Sequence, residues 1–96
     1  MDITATTDGT TTTFALSGWL DTNSSPELSA ELNNLDPNCD KLILDLAELE
    51  YISSAGLRVL VTAHKKMSGN LFVTHVSADV MQVLKMAGFH KRLNIS

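Results

Sequence analysis

The sequence predicts a single α/β domain over residues 1–96, in which a β-hairpin precedes alternating helices and strands in the order ββαβαβαβ. A chain of 96 residues can bury one hydrophobic core but not two. One hairpin signal opens the chain, and amphipathic segments then alternate with short apolar runs. Such alternation implies right-handed crossovers, a mixed, mainly parallel sheet and helices packed on it.

Two threonine-rich stretches, residues 2–7 and 10–17, predict the opening hairpin. Threonine suits strands because its branched Cβ packs well on a pleated surface. Asp8-Gly9 joins the two stretches and supplies the positive φ angles that a tight hairpin turn requires. In the second stretch Phe14 and Leu16 alternate with small residues, which indicates a half-buried strand.

Residues 18–21 close the second strand, and the first helix is predicted to begin at Ser24-Ser25-Pro26-Glu27. Serine can cap free backbone amides, proline is tolerated in the first turn, and glutamate favours the positive end of the helix dipole. Leucines at helical spacing predict the buried face of this helix, which should end near Asp36-Pro37.

Residues 41–46 form a nearly continuous apolar run, which predicts a central strand covered on both faces. Residues 47–52 are interpreted as a connection to a second helix, which begins at Ser53-Ser54 and ends at residues 68–70. The apolar stripe of this helix comprises Leu57, Leu60, Val61, His64 and Met67. On that stripe we expect His64 to be a packed, hydrogen-bonded residue.

The last elements are two short strands that flank a third helix. Residues 71–76 predict the first of these strands, and residues 92–95 predict the second. Between them Ser77 can cap a helix over residues 78–87, which Gly88 ends because glycine readily takes the left-handed conformation after a helix. The apolar residues of this helix are Val80, Met81, Leu84 and Met86.

Composition argues against several classes of function. No apolar run approaches the roughly 20 residues that span a bilayer, and the N-terminus lacks the features of a signal peptide, so a cytoplasmic location is expected. Cys39 is the only cysteine, and no pair of histidines or cysteines has metal-binding spacing. Neither a nucleophile elbow around Ser54 nor a glycine-rich phosphate loop is present. We therefore expect a protein that is not an enzyme, needs no cofactor and binds neither a metal nor a membrane.

The charge of the chain is unevenly distributed. Its net value of −4 argues against nucleic acid as a direct partner. Residues 1–50 carry ten acidic side chains and one basic one, whereas residues 51–96 carry one acidic side chain, Asp79, and six basic ones. This asymmetry can be incidental to loops and helix surfaces. The alternative is a bipolar surface that orients the domain on a protein partner.

Residues 49–60 bring two serines to the start of an amphipathic helix. Ser53 or Ser54 can accept a hydrogen bond from a free backbone amide there, and the helix dipole favours negative charge. A phosphate on either hydroxyl would add about −1.5 to −2 charges at neutral pH. On these residues alone, plain capping and phosphorylation both remain open.

Several short motifs, taken in order, resemble the STAS family, particularly its bacterial anti-sigma factor antagonists. Gly18-Trp19-Leu20-Asp21 is similar to the family's Gly-x-Leu/Ile-Asp signature, and residues 25–28 fall where the family begins its first helix. Residues 52–57, Ile-Ser-Ser-Ala-Gly-Leu, resemble the family's Asp-Ser-Ser/Thr-Gly-Leu switch motif. Residues 86–89 resemble its later Gly-Leu/Phe step. The resemblance covers nearly the full chain and implies a STAS fold.

The resemblance also implies a phosphorylated serine two residues before the motif's glycine, which is Ser54 here. Ser53 stands in place of the family's aspartate, and Ala55 in place of its second hydroxyl residue. The expected partner-binding positions are Asp21, Trp19, Ser53, Ala55, Gly56 and Arg58.

Two of these positions have alternative roles. Asp21 can instead be a turn aspartate that accepts hydrogen bonds from nearby backbone amides. Trp19 can be an exposed anchor, since tryptophan is enriched among binding hot spots, or it can plug the end of the core.

The family's mechanism implies a switch in three steps. The unphosphorylated protein binds an anti-sigma factor, itself a serine kinase of the GHKL type, and a sigma factor is freed. The kinase phosphorylates Ser54 with ATP, and a PP2C-type phosphatase later restores the binding form. Two alternatives remain open: an unphosphorylated STAS scaffold within a larger signalling assembly, and a module that senses a nucleotide or lipid.

Overall fold

The structure is a computed structural model that describes residues 1–91 and 93–95. Its elements follow one another as β1 (Asp2–Asp8), β2 (Thr11–Leu20), α1 (Ser25–Asn33), β3 (Lys41–Ile52), α2 (Ser54–Lys66), β4 (Leu71–Thr74), α3 (Ala78–Met86), a short 3-10 helix (Phe89–Lys91) and β5 (Asn94–Ile95). The predicted order ββαβαβαβ is confirmed, with a 3-10 turn added before the last strand. Of the predicted final strand, residue 92 lies outside the described residues.

The strands form one sheet of five in the order β1-β2-β3-β4-β5. β1 pairs with β2 in antiparallel orientation, and all other neighbours are parallel. Each crossover therefore leads to the next strand in the same direction, and the right-handedness of such crossovers places α1, α2 and α3 on the same face. The mixed, mainly parallel sheet with helices packed on it is confirmed.

The hydrophobic core lies on one face of β3. Leu42, Leu44 and Leu46 are fully buried, whereas Ile43 and Asp45 point the other way and are half-buried. The prediction that this strand is covered on both faces is therefore wrong. The molecule has two layers, and the second face of the sheet is partly exposed.

The opening hairpin is confirmed, but its turn is shifted by one residue. Asp8 pairs with Thr11, so the turn consists of Gly9 and Thr10. Gly9 has a φ of +62°. Glycine at the first central position is typical of the type II′ turn, which matches the twist of the flanking strands.

Strands β2 and β3 are both longer than predicted. β2 continues through residues 18–20, and β3 includes residues 47–52, which were predicted to be a connection. Two register irregularities, one opposite Ala15–Ser17 and one opposite Gly18–Trp19, each place an extra β3 residue against β2. The buried residues of this half of β3 are consequently spaced by three, at Leu46, Leu49 and Ile52.

The helices and β4 lie where the sequence predicts them, but some of their ends differ from the predicted ones. α1 ends at Asn33, short of the predicted Asp36-Pro37. Residues 71–76 were predicted as strand, but β4 ends at Thr74 because His75 takes a φ of +55°. Gly88, with a φ of +78°, ends the third helical segment as predicted. Met86 lies on the solvent side of α3, with 82% of its surface exposed.

The buried face of α2 is rotated from the predicted stripe. Leu57, Val59, Leu60 and Ala63 are buried on it, whereas Val61 and His64 are only half-buried. The expectation of a packed, hydrogen-bonded His64 is wrong, since its ring makes no hydrogen bond with any described residue. It lines a shallow depression beside Phe89 and Leu93.

Among the described residues, no helix is both long and apolar enough to cross a membrane. Over residues 1–91 and 93–95, no group of three or more histidine, cysteine, aspartate or glutamate side chains is arranged to hold a metal ion.

Candidate functional site

The candidate residues lie where the carboxyl ends of two neighbouring strands, β2 and β3, meet. Leu20, the last residue of β2, pairs with Ile52, the last residue of β3. Directly beyond them the Ser53 amide donates a hydrogen bond to the Leu20 carbonyl oxygen over 2.9 Å. The turn that begins at Asp21 and the start of α2 are therefore held side by side, as expected at the carboxyl ends of parallel strands.

The two adjacent serines have different roles. Ser53 is the N-cap of α2, with extended backbone, and its hydroxyl oxygen accepts a hydrogen bond from the Gly56 amide over 3.3 Å. Ser54 is the first residue of the helix and is exposed. Its hydroxyl makes no hydrogen bond with any described residue. The structure thus assigns capping to Ser53 and leaves Ser54 accessible.

The start of α2 packs tightly against both strand ends at Gly56, which is buried. A Cβ atom on Gly56 would lie 2.8 Å from Leu20 Cγ, 2.9 Å from Ile52 Cγ1 and 2.9 Å from the Leu20 carbonyl oxygen. Real Cβ contacts are essentially never this short. Only glycine permits this close approach, which fixes the position of the adjacent serines relative to Asp21.

Asp21 organises the turn that links β2 to α1. Its Oδ1 atom accepts hydrogen bonds from the backbone amides of Asn23 and Ser24, each over 3.0 Å. Of the two roles open to it, the turn role is present. Asp21 is half-buried in this turn, beside the start of α2.

Ser24 closes the same turn instead of capping α1. Its hydroxyl accepts a hydrogen bond from the Asp21 amide over 2.9 Å and donates one to the Trp19 carbonyl oxygen over 2.6 Å. It makes no side-chain cap bond to α1, so the predicted serine cap is wrong. The hydroxyl is occupied by the turn, whose backbone groups it satisfies.

Asp21 gives the site a pH-dependent element. The hydrogen bond from the Ser24 amide is the largest of the interactions that lower its pKa below the ordinary value of 3.8. A carboxyl with a lowered folded-state pKa stabilises the fold above its unfolded-state pKa, and this contribution is lost as the pH falls through the folded-state value. The turn should therefore stay intact at neutral pH and loosen only in acid.

An NMR titration of the Asp21 carboxyl carbon tests this expectation. The midpoint should lie below 3.8 in the wild type. It should rise in Ser24→Ala, because the Ser24 hydroxyl also lies 3.1 Å from Asp21 Oδ1 and shares its one proton between that oxygen and the Trp19 carbonyl oxygen. A wild-type midpoint at or above the ordinary value would contradict the proposed role of the turn amides.

Two aromatic rings are exposed beside the site. Trp19 and Tyr51 are cross-strand partners on β2 and β3, and they are 57% and 45% exposed. Their ring centroids lie 5.3 Å apart at an interplanar angle of 47°. Trp19 is therefore an exposed residue and does not plug the core. Tyr51 was missed because it fell in the predicted connection, although its position relative to Ser53 matches that of Trp19 relative to Asp21.

The remaining candidates lie on the first turns of α2. Ala55 is half-buried next to Gly56, and Arg58 is exposed, one helical turn after Ser54. The Arg58 guanidinium makes no ion pair with any described residue. The six predicted partner-binding residues and Ser54 thus lie at the carboxyl ends of β2 and β3, in the turn after β2 and on the first turns of α2. Their role in partner binding stays a prediction.

Replacing Ser53 by alanine should lower the free energy of unfolding by about 1 kcal/mol, because the Gly56 amide loses its acceptor. Ser77→Ala is a matched control, since Ser77 accepts from the Val80 amide over 3.2 Å at the start of α3 in the same geometry. Ser53→Asp should retain stability, because aspartate caps helices as well as serine does. Urea denaturation measures all three, and an unchanged Ser53→Ala beside a destabilised Ser77→Ala would contradict the capping role.

The fold and this edge of the sheet define a class of small α/β module with an exposed serine at the start of its second helix. Residues 2–96 match the model of the STAS domain, and the chain belongs to that family. One relative is BtrV of Bordetella bronchiseptica, which is named as a candidate anti-sigma factor antagonist. It is 35% identical to this chain over 78 residues, and the match covers 77% of this chain and 67% of BtrV.

Solved structures show the same fold. An anti-sigma factor antagonist from Mycobacterium paratuberculosis superposes with a TM-score of 0.87 at 18% identity, covering 98% of this chain and 83% of that one. The Bacillus cell fate determinant SpoIIAA in its phosphorylated form gives a TM-score of 0.76 at 14% identity, covering 99% of this chain and 91% of SpoIIAA. At these identities the likeness concerns the fold alone.

Proposed function

We propose that this protein is an anti-sigma factor antagonist, a module that binds an anti-sigma factor while Ser54 is unphosphorylated and releases it once Ser54 carries phosphate. The observation that carries the proposal is the exposed hydroxyl of Ser54 at the start of α2, beside a neighbour that already supplies the cap. The name of the relative BtrV supports the same function.

The covalent step of the proposal needs only an acceptor from this chain. An anti-sigma factor that is a GHKL-type serine kinase transfers the γ-phosphoryl group of ATP to Ser54 Oγ, so a new O–P bond forms, ADP leaves and the hydroxyl proton is released. A PP2C-type phosphatase reverses the modification by hydrolysis, in which water takes up the phosphoryl group as inorganic phosphate. Ser54 acts as substrate in both steps.

The start of α2 can accept the added charge without a change of fold. A phosphoserine carries about −1.5 to −2 charges at neutral pH, and the amino end of a helix favours negative charge. The first turn of α2 holds no acidic side chain that would repel it. Arg58 lies four residues later with its guanidinium free of described ion pairs, the spacing at which an anion and a cation meet on a helix.

The same charge can abolish binding at the interface. An exposed hydroxyl and a free Arg58 can face an acidic or polar group of the partner, whereas a dianion there must be desolvated and meets like charge. Each 1.4 kcal/mol of lost binding free energy is about tenfold in affinity. A few kcal/mol therefore suffice, and no large change of shape is required.

The proposal is tested by incubating the chain with ATP and, one at a time, each purified anti-sigma factor encoded in the source genome. We expect a single phosphate, mapped by mass spectrometry to Ser54, and none in Ser54→Ala. Ser53→Ala serves as the control for the adjacent hydroxyl. Absence of modification at Ser54 with every kinase would overturn the switch, and binding without modification would favour the scaffold alternative.

A further inference from the structure

Two shallow depressions flank the exposed rings of Trp19 and Tyr51. One lies beside Trp19 and is lined by Asp21 and Glu27, with Met1, Asn23 and Ser24. The other lies beside Tyr51 and is lined by Glu50 and Asp79, with Ile52, Val80 and Val83. Every charged side chain that lines either depression is a carboxylate.

These residues come from distant parts of the chain. Asp79 is the only acidic residue of the otherwise basic half 51–96, and it lies in the first turn of α3, where it completes the rim beside Tyr51. The fold therefore concentrates negative charge around the aromatic pair. One cation lies in this region: the ammonium group of Met1, which lines the depression beside Trp19 and offsets part of the charge of its two carboxylates. Arg58 belongs to α2 and lines neither depression.

We propose that this acidic aromatic surface, formed by Trp19, Tyr51, Asp21, Glu27, Glu50 and Asp79, binds an arginine-bearing segment of the partner protein. The guanidinium group is planar, stacks on aromatic faces and donates paired hydrogen bonds to carboxylates, so one side chain can use both features of the surface. Lysine offers a compact, strongly hydrated charge without the stacking. The four carboxylates supply charge complementarity and steering toward a basic segment.

Size and exposure support the same occupant. Tryptophan and tyrosine are enriched among the residues that dominate binding energy, yet here both rings lie on the surface and cover each other only in part. The backbone of the surface leads directly to Ser54: Trp19 pairs with Tyr51, which lies three residues before Ser54 in the chain. This inference rests on the proposed function, because the arginine segment would belong to the anti-sigma factor whose release Ser54 controls.

The decisive experiment measures binding of an anti-sigma factor that binds the wild-type chain. Trp19→Ala and Tyr51→Ala should each weaken binding about tenfold or more, and Glu50→Gln combined with Asp79→Asn should weaken it in a salt-dependent manner. Met86→Ala is the matched apolar control, because Met86 is the other large exposed hydrophobic residue among those described. Glu31→Gln is the matched charge control. Both controls should stay within about twofold of the wild type.

A partner-independent arm uses two synthetic peptides, acetyl-Gly-Arg-Gly-Arg-Gly-amide and its glutamate counterpart. Trp19 is the only tryptophan, so its indole N–H resonance reports on this surface. The arginine peptide should shift that resonance in the wild type, less so in Glu50→Gln/Asp79→Asn, and the glutamate peptide should not shift it. Circular dichroism of each variant confirms folding.

The two proposals can fail separately. If an anti-sigma factor binds and is released by phosphorylation at Ser54, but Trp19→Ala and Tyr51→Ala bind as the wild type does, the docking inference is overturned while the switch stands. If no anti-sigma factor binds, the proposed function is overturned. The peptide experiment then tests separately whether the acidic aromatic surface binds arginine. If the arginine peptide does not shift the indole N–H resonance of Trp19, the docking inference is overturned as well.

Discussion

Ser54→Asp is expected to bind the anti-sigma factor at least about tenfold more weakly than Ser54→Ala, which should bind whether or not kinase and ATP are present. The aspartate carries one negative charge at an exposed position that the interface would cover, and that charge must be desolvated on binding. Alanine removes the acceptor hydroxyl and adds no charge. Isothermal titration calorimetry measures both affinities.

A charge placed elsewhere separates this local effect from net charge. Asn70→Asp adds the same charge in an exposed loop directly before β4. This loop lies at the amino ends of the parallel strands, whereas the site lies at their carboxyl ends. Its affinity should match that of the wild type. Equal affinities for Ser54→Ala and Ser54→Asp would contradict a switch that acts at the interface, whatever the control shows.

Gly56→Ala is expected to destabilise the protein by about 1–3 kcal/mol, because the new methyl group would lie within 2.9 Å of Leu20 and Ile52 atoms. The sign is informative, since helix propensity alone would make alanine more stable than glycine by up to about 1 kcal/mol. The clash involves the backbone of Leu20, so relief requires α2 to move away from the strand ends. Partner binding should fall as well, because Ser54 moves with the helix.

Chemical denaturation compares this variant with Gly9→Asn. Gly9 has no atom within 4 Å of an added Cβ, so Gly9→Asn adds no close contact. Its cost is limited to the positive φ, which asparagine tolerates better than most other residues do, and it should be smaller than that of Gly56→Ala. Unchanged or increased stability of Gly56→Ala would show that the start of α2 is not held by close contact.

Local signals predicted much of this fold. The hairpin, the cap at Ser77 and the glycine stop at Gly88 depend on residues within a few positions of one another, and each was confirmed apart from small shifts. The second half of β3 could not be predicted in this way. Its buried leucines are spaced by three because of irregular pairing with β2, and that pairing is visible only once both strands are in place.

The sequence also did not predict that helices cover only one face of the sheet. Residues 41–46 are almost wholly apolar, which is typical of a strand buried on both faces. Asp45 is the exception, and in the structure its Oδ1 lies 3.0 Å from Nδ1 of the exposed His75, on the partly open face. A single carboxylate in an apolar run was the available signal of that face.

At the site, the sequence identified most residues and left their roles open. It could not decide which of Ser53 and Ser54 caps the helix, because both are suitable and only the backbone conformation of Ser53 distinguishes them. The sequence likewise could not decide whether Trp19 is exposed or buried in the core. Tyr51 escaped notice because its importance comes from pairing with Trp19 across two strands.

The position of Met1 has a practical consequence. Since β1 runs antiparallel to β2, its first residues return to the end of β2, where Met1 lies against Gly18 and lines the same depression as Trp19 and Asp21. Any residues added ahead of Met1, such as an affinity tag or the remnant left by a protease, would emerge beside that depression. Quantitative comparisons of variants should therefore use protein without such an extension, because the added residues would compete with the partner for the depression.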